Sequence, residues 1–367
     1  MEIQKKQIAC GYRKKDLSSI IFTDNPIAFT FKMTVPFALQ LHVTEKCNLR
    51  CIHCYNDSWE KELSFSDFKR IVLQFKEILE LTRAVGTVYI TGGEPLLWPH
   101  LYNGIHYLVK NKLMPRLLTN GTLIDSETAK KLRKAGLRLA QVSLDGLKDT
   151  HEFIRGPGTF EKVINGIKNL ISENVEVTVM VTIMRKNLKD VDGILKLVES
   201  LGVKRISFGR FVPIGTGSTL AEEALTPEEV YLLFKSLSHK KTKVKIIKRD
   251  PLWNVINTPK LAFSGCSAGQ FLLDVLVDGT VYPCRRLPIP VGNVFESNLT
   301  DIWLFAPTLE KIRNRKNLEC NSCPYIHLCG GCRGIAYATT HNIFSRDPQC
   351  FIDLINNIER YKEKHKF

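Results

Sequence analysis

The chain lacks any apolar run near the roughly 18 residues that a membrane helix needs, so no membrane span is expected among its 367 residues. It lacks an apolar stretch behind Lys5 and Lys6, so its start does not read as a secretory leader. A cytoplasmic location is the expectation that follows. It also lacks an internal repeat and any low-complexity linker, which excludes repeat arrays and tethered modules. One sign of charge is in deficit: 37 acidic residues face 52 Lys and Arg, a formal +15. The lysines are scattered along helix faces rather than gathered in one patch, so they read as solvated surface. A nucleic-acid partner is therefore not expected, while an acidic peptide or a carboxylate-rich substrate stays open.

What the chain has is cysteine. There are 11, at 10, 47, 51, 54, 266, 284, 320, 323, 329, 332 and 350. Disulfides fit poorly with an intracellular chain. Clustering at two- to five-residue spacings reads as metal ligation. Three clusters held by thiolates would also remove roughly four units of the formal positive charge.

From Ala38 onward, short β-rich apolar runs alternate with amphipathic segments. The runs are 38–43, 87–91, 116–119, 140–144, 175–183 and 206–212. Phe68, Ile71, Val72, Phe75, Ile78 and Leu79 form one helical stripe. Thr226-Pro227-Glu228-Glu229 opens another helix with a capping box. Six strand–helix units predict an α/β fold, a parallel sheet closed into a barrel or partial barrel. In such folds the site lies at the C-terminal strand ends. After about residue 250 the helical periodicity fades. Residues 271–277, Asp278-Gly279 and 280–283 read as a β-hairpin with a two-residue turn, and 351–364 as a closing helix. The expected division is an arm at 1–37, a barrel at 38–240 and a cysteine-rich domain at 241–367.

Cys47, Cys51 and Cys54 stand at C-x3-C-x2-C spacing. Three thiolates hold three irons of a cubane and leave the fourth open, as a catalytic zinc keeps an open position. Zinc itself prefers four ligands, and His53 is the one candidate for the fourth. A plain ferredoxin would show a fourth cysteine nearby, and none is near.

This segment resembles the signature of the radical SAM enzymes. The resemblance implies a [4Fe-4S] cluster whose open iron chelates S-adenosyl-L-methionine (SAM), and reductive cleavage of SAM to a 5′-deoxyadenosyl radical. It implies that His53 packs near the adenine. Thr91-Gly92-Gly93-Glu94-Pro95 resembles the family's second-strand motif. Its glycines allow close backbone approach, and its carboxylate suits the methionine ammonium group. Asn120, in Thr119-Asn120-Gly121, and Ser143 and Asp145, in Ser143-Leu144-Asp145-Gly146, resemble the third- and fourth-strand motifs that hold the ribose. Arg155, in His151-x3-Arg155, resembles the arginine that meets the methionine carboxylate.

Cys266-x12-Gly279-x4-Cys284, Cys320-x2-Cys323-x5-Cys329-x2-Cys332 and Cys350 resemble the SPASM extension, which carries auxiliary [4Fe-4S] clusters. A zinc ribbon is the plainer reading of the four-cysteine run alone. The resemblance implies Cys320, Cys323, Cys329 and Cys350 around a distal cluster and Cys266, Cys284 and Cys332 around a nearer one. The last spacing in the run is x2 where the family has x3. Lys260 stands where members with a fully ligated nearer cluster carry an eighth cysteine, so that cluster is expected to have an open iron or a further ligand. Cys10 is the one spare thiol. Where sulfatase-maturing members place an aspartate base, this chain has Arg285-Arg286.

The expected activity is thus radical SAM oxidation, with flavodoxin or ferredoxin as external reductant. Peptide or protein side-chain modification is the first substrate reading, although the short arm leaves little room for a peptide-recognition domain. The rival is tetrapyrrole side-chain chemistry. Cys329-Gly330-Gly331-Cys332-Arg333-Gly334-Ile335-Ala336-Tyr337-Ala338 followed by Asp347-Pro348-x-Cys350 resembles the enzymes of alternative heme and heme d1 synthesis. A non-catalytic electron carrier and a zinc-dependent nucleic-acid binder are the readings from other classes.

Overall fold

The computed structural model describes residues 36–256 and 265–357. Cys10, Lys260 and nearly all of the expected arm lie outside the described residues.

Seven strands run parallel: β1 (Pro36–Thr44), β2 (Val85–Gly92), β3 (Met114–Thr119), β4 (Leu139–Ser143), β5 (Glu176–Ile183), β6 (Arg205–Arg210) and β7 (Lys245–Ile247). The first six are the expected apolar runs, with their ends shifted by no more than two residues. The seventh is too short to show in the sequence pattern. Helices return the chain between strands: α1 (Phe65–Thr82), α2 (Leu101–Lys110), α3 (Ser126–Ala135), α4 (Lys148–Arg155), α5 (Thr159–Ser172), α6 (Val191–Ser200) and α7 (Pro227–His239).

The pattern behind this is period two in the strands and 3.6 in the helices. On β1, Leu39, Leu41 and Val43 are fully buried in one core with the stripe of α1. Ser64 caps α1, its side chain accepting from Asp67 N. The capping box of α7 forms, with Thr226 Oγ1 accepting from Glu229 N and Glu229 Oε2 accepting from Thr226 N. Each such cap contributes about 1 kcal/mol.

The cysteine-rich part joins the same sheet. Strand β8 (Leu272–Val275) lies parallel to β1 with Leu39 opposite Leu273, and β9 (Thr280–Tyr282) and β10 (Gly292–Asn293) continue antiparallel. The strand order is β10-β9-β8-β1-β2-β3-β4-β5-β6-β7. The β8–β9 hairpin differs from expectation in its turn. Leu276 N donates to Thr280 O, so Val277, Asp278 and Gly279 form a three-residue loop. Gly279 at φ +82° supplies the left-handed residue that this loop length needs. Short helices follow: α8 (Trp253–Ile256) before β8, then α9 (Leu299–Phe305), α10 (Pro307–Arg313) and α11 (Arg333–Thr340). The closing helix is under way at 352–357, and its expected remainder lies outside the described residues. No helix among the described residues is long and apolar enough to cross a membrane.

Candidate active site

A cavity of about 160 Å³ opens at the C-terminal ends of the parallel strands. Cys47, Cys51 and Cys54 line it from the loop after β1, with His53 between them. Gly92, Gly93, Asn120, Ser143 and Arg155 line it from the neighbouring strand ends and α4. The chain is brought this close by glycine. Gly92 has φ +133°, and a Cβ there would sit 2.1 Å from Thr44 O. A Cβ on Gly93 would sit 2.3 Å from Lys46 O. Gly93 N donates to Thr44 O and Glu94 N to Lys46 O, so the β2 end is laced to the cysteine loop through its backbone.

Donors meet the sulfurs of Cys47 and Cys51. Leu49 N and Asn120 Nδ2 point at Cys47 Sγ at 3.4 and 3.9 Å, and Arg155 Nη1 points at Cys51 Sγ at 3.7 Å. Burial pushes the Cys47 thiol up to about 11 and raises Cys51 and Cys54 as well. Thiolates here need iron as counter-charge, and N–H donors aimed at sulfur suit cluster ligands. Among the described residues, no three His, Cys, Asp or Glu side chains converge on a single-ion site. A cubane asks for one thiolate per iron and does not require that convergence. His53, the candidate fourth zinc ligand, is engaged elsewhere: its Nε2 lies 2.9 Å from Asp145 Oδ2.

A second cavity, of about 240 Å³, is lined by Cys320, Cys323, Cys329 and Cys350. Gly331 N donates to Cys329 Sγ at 3.3 Å and Arg346 Nη2 to Cys350 Sγ at 3.7 Å. Cys332 faces another way. It and Cys284 both lie within electrostatic reach of Cys266, and the buried Arg286 guanidinium is held up by the thiols of Cys332 and Cys284 despite its burial. The short x2 spacing has a structural reason. Gly330 and Gly331 are both left-handed, at φ +66° and +63°. Two such residues in succession turn Cys332 away from Cys329 within a shorter loop. Two groups of cysteines are therefore brought together, four in one and three in the other, the sets that the resemblance implied.

Two sequence-family models match the chain. One is the radical SAM superfamily, at residues 41–198, and the other is the SPASM iron–sulfur cluster-binding domain, at 266–332. The chain is a radical SAM protein with a C-terminal SPASM domain. It is 28% identical over 340 residues to the AdoMet-dependent heme synthase of Methanosarcina barkeri, covering 86% of this chain and 96% of that protein. It is 26% identical over 344 residues to the mycofactocin maturase of Mycobacterium ulcerans, covering 88% and 89%. The crystal structure of Streptococcus suis SuiB bound to S-adenosylmethionine shares the fold, with a TM-score of 0.71 at 21% identity over 94% of this chain and 87% of that one.

In this radical SAM protein, Cys47, Cys51 and Cys54 stand together at the strand-end cavity, and the C-terminal cysteines stand in two further groups. Three motif residues stand back from the cavity. Glu94, Pro95 and Asp145 do not line it, and Glu94 and Asp145 are fully buried. Asp145 accepts from Arg155 Nε at 2.6 Å and Thr182 N at 2.7 Å, besides its contact with His53. Burial alone would raise this carboxyl, but Arg155 and then His53 hold it well below the usual carboxylate range. Asp145 thus aims Arg155 and His53 into the cavity. His151 Nδ1 accepts from Asp145 N, and burial, then Arg155, push this imidazole down to about 4.

A cluster of Arg210, Asp250, Asp347 and Gln349 escaped the sequence reading. Arg210 Nε and Nη2 donate to the two oxygens of Asp250 at 2.8 and 3.0 Å. Arg210 Nη1 and Nη2 donate to Asp347 at 3.1 and 2.8 Å, and Nη1 also donates to Gln349 at 2.8 Å. Asp347 Oδ2 accepts in turn from Cys332 N. The group ties β6 to the SPASM cysteines. The available signal was Arg210 itself, a charge inside an apolar strand run, which must be paired when buried.

Proposed function

We propose that this radical SAM protein oxidises a carboxylate-bearing side chain of a tetrapyrrole. The observation that carries the reading is Arg285. It lines the cavity with its guanidinium 5.5 Å from the Tyr55 ring centroid, and among the described residues no carboxylate pairs with it. Arg286, its neighbour, also lines the cavity but is occupied: it lies beside Cys284 and Cys332 and its Nη1 donates to Arg210 O. Trp59, Phe211 and Ile214 line the same cavity. A flat apolar wall beside one free guanidinium suits an amphipathic macrocycle with acid side chains. The similarity to AdoMet-dependent heme synthases over most of both chains supports the same substrate class.

When bound, the cluster and SAM supply the radical that abstracts a hydrogen atom, and the SPASM clusters supply an acceptor for the accompanying electron. The protein's part is placement. Arg285 holds a carboxylate at the mouth, the apolar wall keeps water from the reacting carbon, and Asp145 fixes Arg155 and His53. Peptide modification is the second reading, favoured by the similarity to mycofactocin maturase.

The test is 5′-deoxyadenosine release by the reconstituted protein under anaerobic reduction. An iron porphyrin carrying free propionates is expected to stimulate release, and its methyl ester is not. Arg285→Met should weaken binding of the free acid by about 10- to 100-fold, the worth of a charge-assisted hydrogen bond. Stimulation by a short peptide, with none by the porphyrin acid, overturns the reading in favour of the second.

A further inference from the structure

Glu94 stands where the second-strand motif would place a carboxylate on the ammonium group of SAM. The structure gives that carboxylate other partners. Glu94 is fully buried and does not line the cavity. Its Oε1 accepts from Thr119 Oγ1 at 2.8 Å and from Leu96 N at 3.2 Å. Its Oε2 accepts from Asn120 N at 2.8 Å. Both oxygens are thus engaged by donors from the turn after β2 and from the end of β3.

The residue so held is Asn120. Its Nδ2 donates to Asn48 Oδ1 at 2.9 Å and points at Cys47 Sγ at 3.9 Å. Its Oδ1 accepts from Thr122 N and Thr122 Oγ1, so the amide has one orientation. On the backbone side, Glu94 N donates to Lys46 O, the residue before Cys47. One residue therefore grips the cysteine loop twice, directly through its own N–H and indirectly through Asn120.

We infer that Glu94 is a positioning residue that latches the end of β3 to the cluster loop and sets Asn120 against Cys47, rather than a direct ligand of SAM. Three hydrogen bonds to a carboxylate in a buried place are a costly arrangement to assemble and a rigid one once made. Burial pushes Glu94 up to about 7, and the donors from Asn120, Thr119 and Leu96 are what oppose that rise. A side chain committed in this way and shut off from the cavity is not placed to take a ligand. The carboxylate's influence on the site runs through Asn120 to the sulfur of Cys47.

The inference rests on the radical SAM assignment and not on the identity of the substrate. Its test uses the holoprotein, anaerobically, with two readouts. One is the affinity for SAM. The other is the electron paramagnetic resonance (EPR) spectrum of the reduced protein without SAM, restricted to the component that SAM perturbs in the wild type. Glu94→Gln keeps the shape but turns an NH2 toward one of the former donors. The expected result is a shifted EPR component with a SAM Kd within about threefold of wild type. Asn120→Ala should shift the same component, and Glu94→Gln with Asn120→Ala should shift it no further. A Kd raised tenfold or more with an unchanged spectrum overturns the inference, and so does an unchanged spectrum with an unchanged Kd. If Glu94→Gln retains no cluster, or changes both readouts, Thr119→Val decides. That variant removes a donor to Glu94 and leaves the carboxylate in place. A latch requires the EPR shift in Thr119→Val; a direct SAM contact by Glu94 requires none.

Discussion

Two buried arginines stand at the two halves of this molecule, and their partners differ. Arg155, at the end of α4, spends Nε on one carboxylate, Asp145, and Nη1 on the sulfur of Cys51. Arg210, at the end of β6, is clamped by Asp250 and Asp347 with Gln349 as well. The first cation shares its single carboxylate with His53, and keeps a nitrogen for the sulfur of Cys51. The second is more than neutralised by its two carboxylates, and every nitrogen is bound to fixed protein groups. A guanidinium that must act on a cofactor keeps a donor aimed at it. A guanidinium that joins two parts of the fold is saturated.

The comparison breaks most sharply at the joint. Arg210→Met would leave Asp250 and Asp347 buried without the cation that bonds them both, and removal of one partner from a buried ionic group costs about 3–5 kcal/mol. The loss should be read from urea unfolding under anaerobic conditions. Because Asp347 also accepts from Cys332 N, iron should be lost from the SPASM part before the barrel unfolds. A penalty under about 1 kcal/mol would show that the joint is not saturated in the sense argued.

The two halves were also unequally legible. The barrel was readable because its strands and helices carry local periodicity and its motifs sit at strand ends, where the fold class puts sites. Strands β1 to β6 and the cap at Thr226 needed no long-range information. The joint was not readable. Arg210 meets a residue 40 positions away and another 137 positions away, and nothing in local pattern pairs them. The attachment of β8 to β1 has the same character: Leu39 and Leu273 are partners only because the sheet is continuous. Motif reading also named Glu94 and Asp145 without revealing which way their carboxylates face. That depends on donors from β3 and β5, which a motif does not contain.

Arg155→Met should cost less. Asp145 keeps Thr182 N and His53 as partners, so the loss is that of one charge-assisted hydrogen bond, about 1.5–3 kcal/mol. The distinguishing readout is the reduction potential of the SAM-binding cluster. Removing a cation beside Cys51 should move it to more negative values, as followed by an EPR-monitored redox titration. Arg210→Met should leave that potential in place. Equal shifts in the two variants would erase the distinction between a cofactor cation and a joint cation.

The smallest effect expected is a pH dependence, and it also separates the halves, because the Arg210 group contains no histidine. His151 is fully buried, packs against the Phe160 ring, and has no hydrogen-bond partner for Nε2 among the described residues. It is faced by Arg155 and His53, which oppose its protonation, and by Asp145 and Glu152, which favour it. Burial and Arg155 win, and the imidazole is pushed from 6.5 down to about 4. The unfolded chain therefore binds more protons than the folded one between those values, so stability rises with pH across that window. It is fully present above 6.5, is lost as the pH falls toward 4, and changes no further below. From pH 6.5 to 5 the loss is about 2 kcal/mol. His151→Asn keeps an acceptor for Asp145 N and removes the titration. Urea unfolding at pH 7.5 and 5 should show a flatter dependence in that variant, and an unchanged slope would place the acid sensitivity outside the Arg155 network.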